Sequence, residues 1–237
     1  MVNRIVINGC SYMKHYARGN GHIDLAKKFQ IQTAESLAQE GSCNKRIIRT
    51  TLRDCYQTTV PTLYVIGTSF LTRFELPAAS GSPEPDGKWV SFSRVGMSMK
   101  VNQFDNQFTQ KNVKEFHDLY DKFTVLGLPD LTEDLMYAIV ALIDACKTRG
   151  HSVVAFNTAE HTVEYFLDES RFDLFKERKE IIQGFKWRSI PWQFEQGALH
   201  LEGDQKYPWN CRHVAPGEHQ YLNDFLYNYI QEHKILQ

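Results

Sequence analysis

The sequence contains no long apolar run. Nothing approaches the roughly eighteen uninterrupted apolar residues of a membrane span, so none is expected. The stretch MVNRIVINGCSY holds an apolar run too short for a signal-peptide core, and it leads straight into a turn signal. The chain is therefore expected to be made and folded in a cytoplasm. Neither sign of charge is in excess. Lys and Arg number 27 against 28 Asp and Glu, a formal net charge of −1, so there is no basic field to draw in nucleic acid. Cysteine is sparse and odd in number: positions 10, 43, 55, 146 and 211 are scattered, with no CxxC pair. That pattern fits free thiols in a reducing compartment better than a disulfide framework. Cys211-x-His213 and His200 do not form a metal-ligand spacing, and there is no glycine-rich phosphate loop. Neither a metal nor a cofactor is expected.

What is present is an ordinary globular composition, 42% hydrophobic and 23% charged, on 237 residues, enough to bury a sizeable core. Apolar, β-branched runs predict buried strands at RIVI (4–7), TLYVIGTS (62–69) and SVVAFN (152–157). Helical patterns lie between them. Leu25, Phe29, Ala34, Leu37 and Ala38 predict a helix over 25–40, closed by Gly41. NKRIIRTTLRDCY predicts one over 44–56. LTEDLMYAIVALIDACKTRG predicts one over 131–150, opened by Thr132 with Asp134 and closed by Lys147, Arg149 and Gly150. Further helices are expected over 160–179 and 217–234, the second with Tyr221, Phe225, Leu226, Tyr229 and Ile230 on its core face. From 77 to 130 the alternation breaks. SGSPEPDGK is a loop, WVSFSRV (89–95) alternates like a hairpin strand, and 112–123 reads as helix. This segment is expected to be an insertion that covers the site rim or forms an assembly contact.

Strand and helix in this order predict an α/β fold of three layers, α/β/α, with a central, mostly parallel sheet in which 4–7, 62–67 and 152–157 are adjacent. In such sheets reactive groups gather beyond the carboxyl ends of the strands. NGCSYM (8–13) lies past the first strand, GTS (67–69) past the next, and GSCN (41–44) opens a helix. Taken in order, four blocks resemble those of the SGNH (GDSL-type) hydrolases, in the branch whose first block reads like NGCS(F/Y), common in bacteria and phages. NGCSYM is similar to the nucleophile block, with Ser11 at the nucleophile. GSCNKRIIRTT is similar to the second, with Gly41 at the glycine that lends a backbone N–H. IGTSFLTRFE is similar to the third: Gly67 and Arg73 fit, and Ser69 stands where the family has Asn or, in this branch, often Thr. NCRHVAPGEH is similar to the last, with His213 at the catalytic histidine and His219 at a second, common one. The resemblance implies a single flavodoxin-like domain over 1–237. It also implies a second strand for which the sequence leaves little room, so four core strands or a very short edge strand are expected.

The chemistry can be stated from the residues. A serine nucleophile needs a base, and the base needs a group that orients it. The tetrahedral intermediate needs preformed donors at its oxyanion. Ser11 and Gly41 could offer backbone N–H groups, and the hydroxyl of Ser69 or Thr68 a third. The family's last block is DxxH, whereas position 210 here is Asn. Asn210 can accept from the His213 ring but supplies no negative charge, and Asp204 or a backbone carbonyl could take that role. The expected function is a serine esterase or deacetylase acting on a small or carbohydrate ester. The alternative is a non-catalytic SGNH-fold component, structural or glycan-binding, for instance of a phage particle and then virion-associated. The other readings are structural: Cys10 as a buried, inert thiol, His219 as a packing residue, Arg73 with Glu75 as an ion pair, and the large aromatics as core rather than a sugar-stacking cleft.

Overall fold

The computed structural model describes residues 2–69, 73–77, 89–92, 133–158, 178–183, 185 and 216–236. Strand β1 (Arg4–Gly9) is followed by two short helices, α1 (Ser11–Arg18) and α2 (Gly21–Lys28), and then by β2 (Thr33–Ser36). Helix α3 (Asn44–Gln57) leads to β3 (Thr62–Thr68), and β4 (Phe74–Pro77) pairs antiparallel with β5 (Trp89–Phe92) as a separate hairpin. Helix α4 spans 133–148. It precedes β6 (Ser152–Asn157), β7 (Ile181–Ile182) and the last helix, α5 (Pro216–Glu232). The main sheet has the order β2-β1-β3-β6-β7, and all four of its pairings are parallel.

Period-two alternation within the strands builds the three layers. Ile5, Ile7, Leu63, Val65, Val154 and Phe156 point to one face and pack with α1, α2 and α5. Val6, Tyr64, Ile66, Val153 and Ala155 point to the other and pack with α3 and α4. Helix α4 meets that face through Leu135, Met136, Ile139, Leu142, Ile143 and Cys146, every one buried. In α5, Leu226 and Ile230 are core, while Tyr221, Phe225 and Tyr229 pack against it partly buried. The three strands expected to be adjacent and parallel are so.

The helix expected over 25–40 holds only as far as Lys28. Helix α2 stops at Phe29 because Gln30 turns left-handed, at φ 57°. The Gln30 N–H donates to Lys27 O, and the Ile31 N–H reaches back to Ala26 O. This is a Schellman stop, with a non-glycine residue where glycine is usual. Residues 33–36 then form the short edge strand, β2, with Arg4 opposite Thr33 and Ile7 opposite Ser36. The sheet ends opposite to the site carry a partly buried ion network. Arg4 bonds both Glu35 and Asp54, and Tyr64 donates to Asp54. Burial pushes the Asp54 carboxyl up, but the Arg4 and Tyr64 hydrogen bonds outweigh it and hold the group below its usual value. The helix over 160–179 and most of the 77–130 insertion lie outside the described residues; within the insertion, 89–92 is a hairpin strand as expected.

Candidate active site

The rim is built on a glycine rung. Gly9 of β1 and Gly67 of β3 are register partners in adjacent strands, so their backbones lie about 4.8 Å apart. A Cβ on Gly67 would fall 2.5 Å from Met13 Cγ and 2.5 Å from Thr158 Cγ2. Only glycine lets the first turn of α1 settle this closely over the strand ends. Ser11 and Ser69 each stand two residues past this rung. The Gln39 N–H donates to Gly9 O at 3.1 Å and carries the 39–43 loop to the same place. In that loop Gly41 has φ 73°, a left-handed conformation suited to glycine. The order of strands puts the rung at the switch point: β1 connects outward to β2, and β3 connects the other way to β6. In an open parallel sheet that is where a ligand crevice forms.

NGCSYM is therefore not a simple turn. Asn8 ends inside the strand, Cys10 is the helix N-cap, and Ser11 is the first residue of α1. The Cys10 side chain makes no cap bond to this helix. Its first N–H groups have no intrahelical acceptors and carry the positive end of the helix dipole beside Ser11. Ser11 is buried, and so is Cys10, whose sulfur lies 3.7 Å from Thr158 Oγ1. The four described cysteines, 10, 43, 55 and 146, are all free.

Ser69 is held on three sides. Its N–H donates to Asn44 Oδ1 at 2.7 Å, and its carbonyl accepts from Asn44 Nδ2 at 2.9 Å. Its hydroxyl oxygen accepts from Arg73 Nη1 at 3.0 Å, and the same nitrogen lies 3.5 Å from Ser42 O. The partner found for Glu75 is Arg49, at 2.9 Å, not the Arg73 expected from sequence. Thr68, the other hydroxyl considered, faces Phe156 O and Asn157 Oδ1 across β6 and is turned away from the rung.

Ser11, Gly41 and Ser69 thus belong to three segments that meet at one rim. His213, Asn210, Asp204, Cys211 and His200 lie outside the described residues. His219 packs where its structural reading put it. Its ring sits edge-on to Tyr16 and over Gly19, at the far end of α1, about 12 Å along the axis from Ser11. Burial and the neighbouring His15 lower its pKa, and its Nε2 is buried without a hydrogen-bond partner.

Three residues went unassigned in the sequence. Asn44 is the clamp on Ser69. Asn8, fully buried, ties β1 to α3 through Ile47 O, Thr50 Oγ1 and Thr51 Oγ1. His15 stands one helical turn after Ser11 on the same face, and its Nε2 is 3.9 Å from Glu40 Oε1. Burial lowers the His15 pKa, with Arg18 adding to the effect. The Ser11-to-His15 spacing of four was the one signal available for it.

Among the described residues no group of His, Cys, Asp and Glu could hold a metal ion, and no helix is long and apolar enough to cross a membrane. The sequence matches no family model and no curated protein. Among solved structures the chain is similar to a candidate acylhydrolase from Bacteroides fragilis, with a TM-score of 0.48 and 9% identity over 97% of this chain and 87% of that one. An overlap and identity this low transfer no activity.

Proposed function

We propose that the protein is a serine hydrolase of carboxylic esters, of SGNH type, acting on a small or carbohydrate ester. The observation that carries this is the shared rung: Ser11, the Gly41 loop and Ser69 stand together beyond the ends of β1 and β3, at the switch point of a parallel sheet. Ser11 Oγ attacks the acyl carbonyl while His213 takes its proton. The oxyanion that forms is met by the Ser11 and Gly41 backbone N–H groups and by the Ser69 hydroxyl. His213 then protonates the departing alcohol, and water repeats the sequence on the acyl-enzyme. Asn210 orients His213 without adding charge. No cofactor takes part, and the substrate is a small molecule or glycan rather than nucleic acid or membrane.

The test is hydrolysis of p-nitrophenyl acetate by the wild type and by Ser11→Ala, together with labelling by a serine-reactive phosphonate. Turnover that depends on Ser11, with the label on Ser11, supports the reaction. Equal rates in both proteins would sink it. The second reading, a non-catalytic copy of the fold in an assembly, is favoured by Asn210 standing in place of the family Asp. It predicts no label and no turnover.

A further inference from the structure

We propose that Arg73 is a positioning residue that makes the Ser69 hydroxyl an oxyanion donor, an inference that rests on the reaction above. A guanidinium can only donate. Its contact with Ser69 Oγ at 3.0 Å therefore occupies a lone pair of that oxygen and leaves the O–H to donate elsewhere. The main chain of Ser69 has no such freedom, because Asn44 engages both its N–H and its carbonyl. The hydroxyl is thus the polar group of Ser69 left for a ligand.

Charge strengthens the arrangement. Ser69 is 1% exposed and Arg73 half-buried, so the contact is partly sheltered from water, and a charge-assisted bond polarises the hydroxyl into a better donor. The same Arg73 nitrogen lies 3.5 Å from Ser42 O, next to Gly41. One cation therefore spans two of the three proposed oxyanion segments and fixes their spacing. A side-chain amide is an N–H donor by construction, whereas a hydroxyl can turn away. Arg73 on the hydroxyl oxygen and Asn44 on the main chain remove that choice.

The experiment is a kinetic double-mutant cycle on the full chain with p-nitrophenyl acetate, using wild type, Arg73→Met, Ser69→Ala and the double variant. Ser69→Ala should lower kcat about 100-fold, as loss of one oxyanion donor does. Arg73→Met should lower kcat about tenfold with KM unchanged, the pattern of a contact made only in the transition state. The double variant should be no slower than Ser69→Ala alone, and Arg73→Lys, which keeps the charge and a donor, should recover most of the rate. If Arg73→Met costs the same factor with and without the Ser69 hydroxyl, or raises KM alone, Arg73 does not act through Ser69. If Arg73→Met fails to fold, Arg73→Gln goes through the same cycle and is judged the same way. Ser11-dependent turnover that ignores Ser69 overturns this inference and leaves the reaction standing. Turnover that does not depend on Ser11 sinks both.

Discussion

Replacing Asn8 with alanine should destabilise the protein by about 3 kcal/mol, at about 1 kcal/mol for each of three lost hydrogen bonds. The side chain is 0% exposed. Its amide nitrogen is 3.0 Å from Ile47 O and 2.8 Å from both Thr50 Oγ1 and Thr51 Oγ1, and its two protons can serve two of the three. Its Oδ1 accepts from the Gly9 N–H at 2.8 Å. Ile47 O keeps the Thr51 hydroxyl after the change, so the group left worst off is the Gly9 N–H. In a chain of this size about 3 kcal/mol lowers Tm by roughly 6–12 °C. The assay is urea unfolding followed by far-UV circular dichroism, with the m-value expected to hold. Asn8→Asp sharpens it. A carboxylate keeps the Gly9 acceptor but turns a second oxygen toward the Ile47 carbonyl, so at pH 7 it should cost at least as much as alanine. Burial raises the pKa of such a carboxyl, so lowering the pH should protonate it, restore a donor and narrow its gap from wild type. A loss below about 1 kcal/mol for Asn8→Ala, or parity of Asn8→Asp with wild type at pH 7, would refute the reasoning.

Gln30→Gly should stabilise the protein by about 0.5–1 kcal/mol, since glycine holds a left-handed φ without the Cβ clash; a loss in the same unfolding assay would show that the Gln30 side chain matters more than its backbone. His15, His22, His151 and His219 all titrate below the usual imidazole value, burial being the first cause in each. Each binds its proton more readily unfolded, at about 6.5, so stability should be full above that pH and fall as the pH drops through the folded values. A urea midpoint that stays flat or rises from pH 7.5 to 5 would contradict this, and His219→Gln should flatten the slope. If His213 is the base, His213→Gln should abolish ester turnover while His15→Gln leaves kcat within about threefold; the reverse result moves the base to His15. Asn210→Asp should raise kcat at least about tenfold, because a serine-protease triad loses about 10⁴ by the opposite change, and the gain should vanish in Ser11→Ala. An unchanged rate would mean that another group orients His213.

Helix α4 was legible to its end because that end is marked by a residue that permits little else. Helix α4 ends on Gly150, at φ 78°, with the His151 N–H returning to Cys146 O. Helix α2 ends by the same bonds on Gln30, and nothing in a glutamine announces a left-handed residue. Without that punctuation, Leu25, Phe29, Ala34 and Leu37 continued the helical period past the true stop, and the edge strand was hidden beneath them. Helix α1 was hidden for a different reason. Cys10 caps it without a side-chain bond, so the usual Ser, Thr, Asp or Asn signal falls one residue late, on Ser11 itself. The site divides the same way. Ser11, Gly41 and Ser69 could be placed because strand ends and a left-handed glycine fix backbone position. The hold of Asn44 and Arg73 on Ser69 depends on side chains meeting across separate segments, which periodicity does not encode.

The all-parallel strand order also dictates how the sheet must assemble as the chain is made. Arg4 waits for Thr62, and Leu63 then waits for Ser152. Once β1, β2, α3 and β3 have come together, the free edge of the nascent sheet is TLYVIGT, every residue of which is buried in the finished fold. An apolar, β-branched edge with no partner strand is a template for pairing with another chain. The interval between emergence of residue 68 and emergence of residue 157 is therefore the period of greatest exposure to misassembly. Variants that slow synthesis across this interval should lower soluble yield without changing the stability of the protein that does fold.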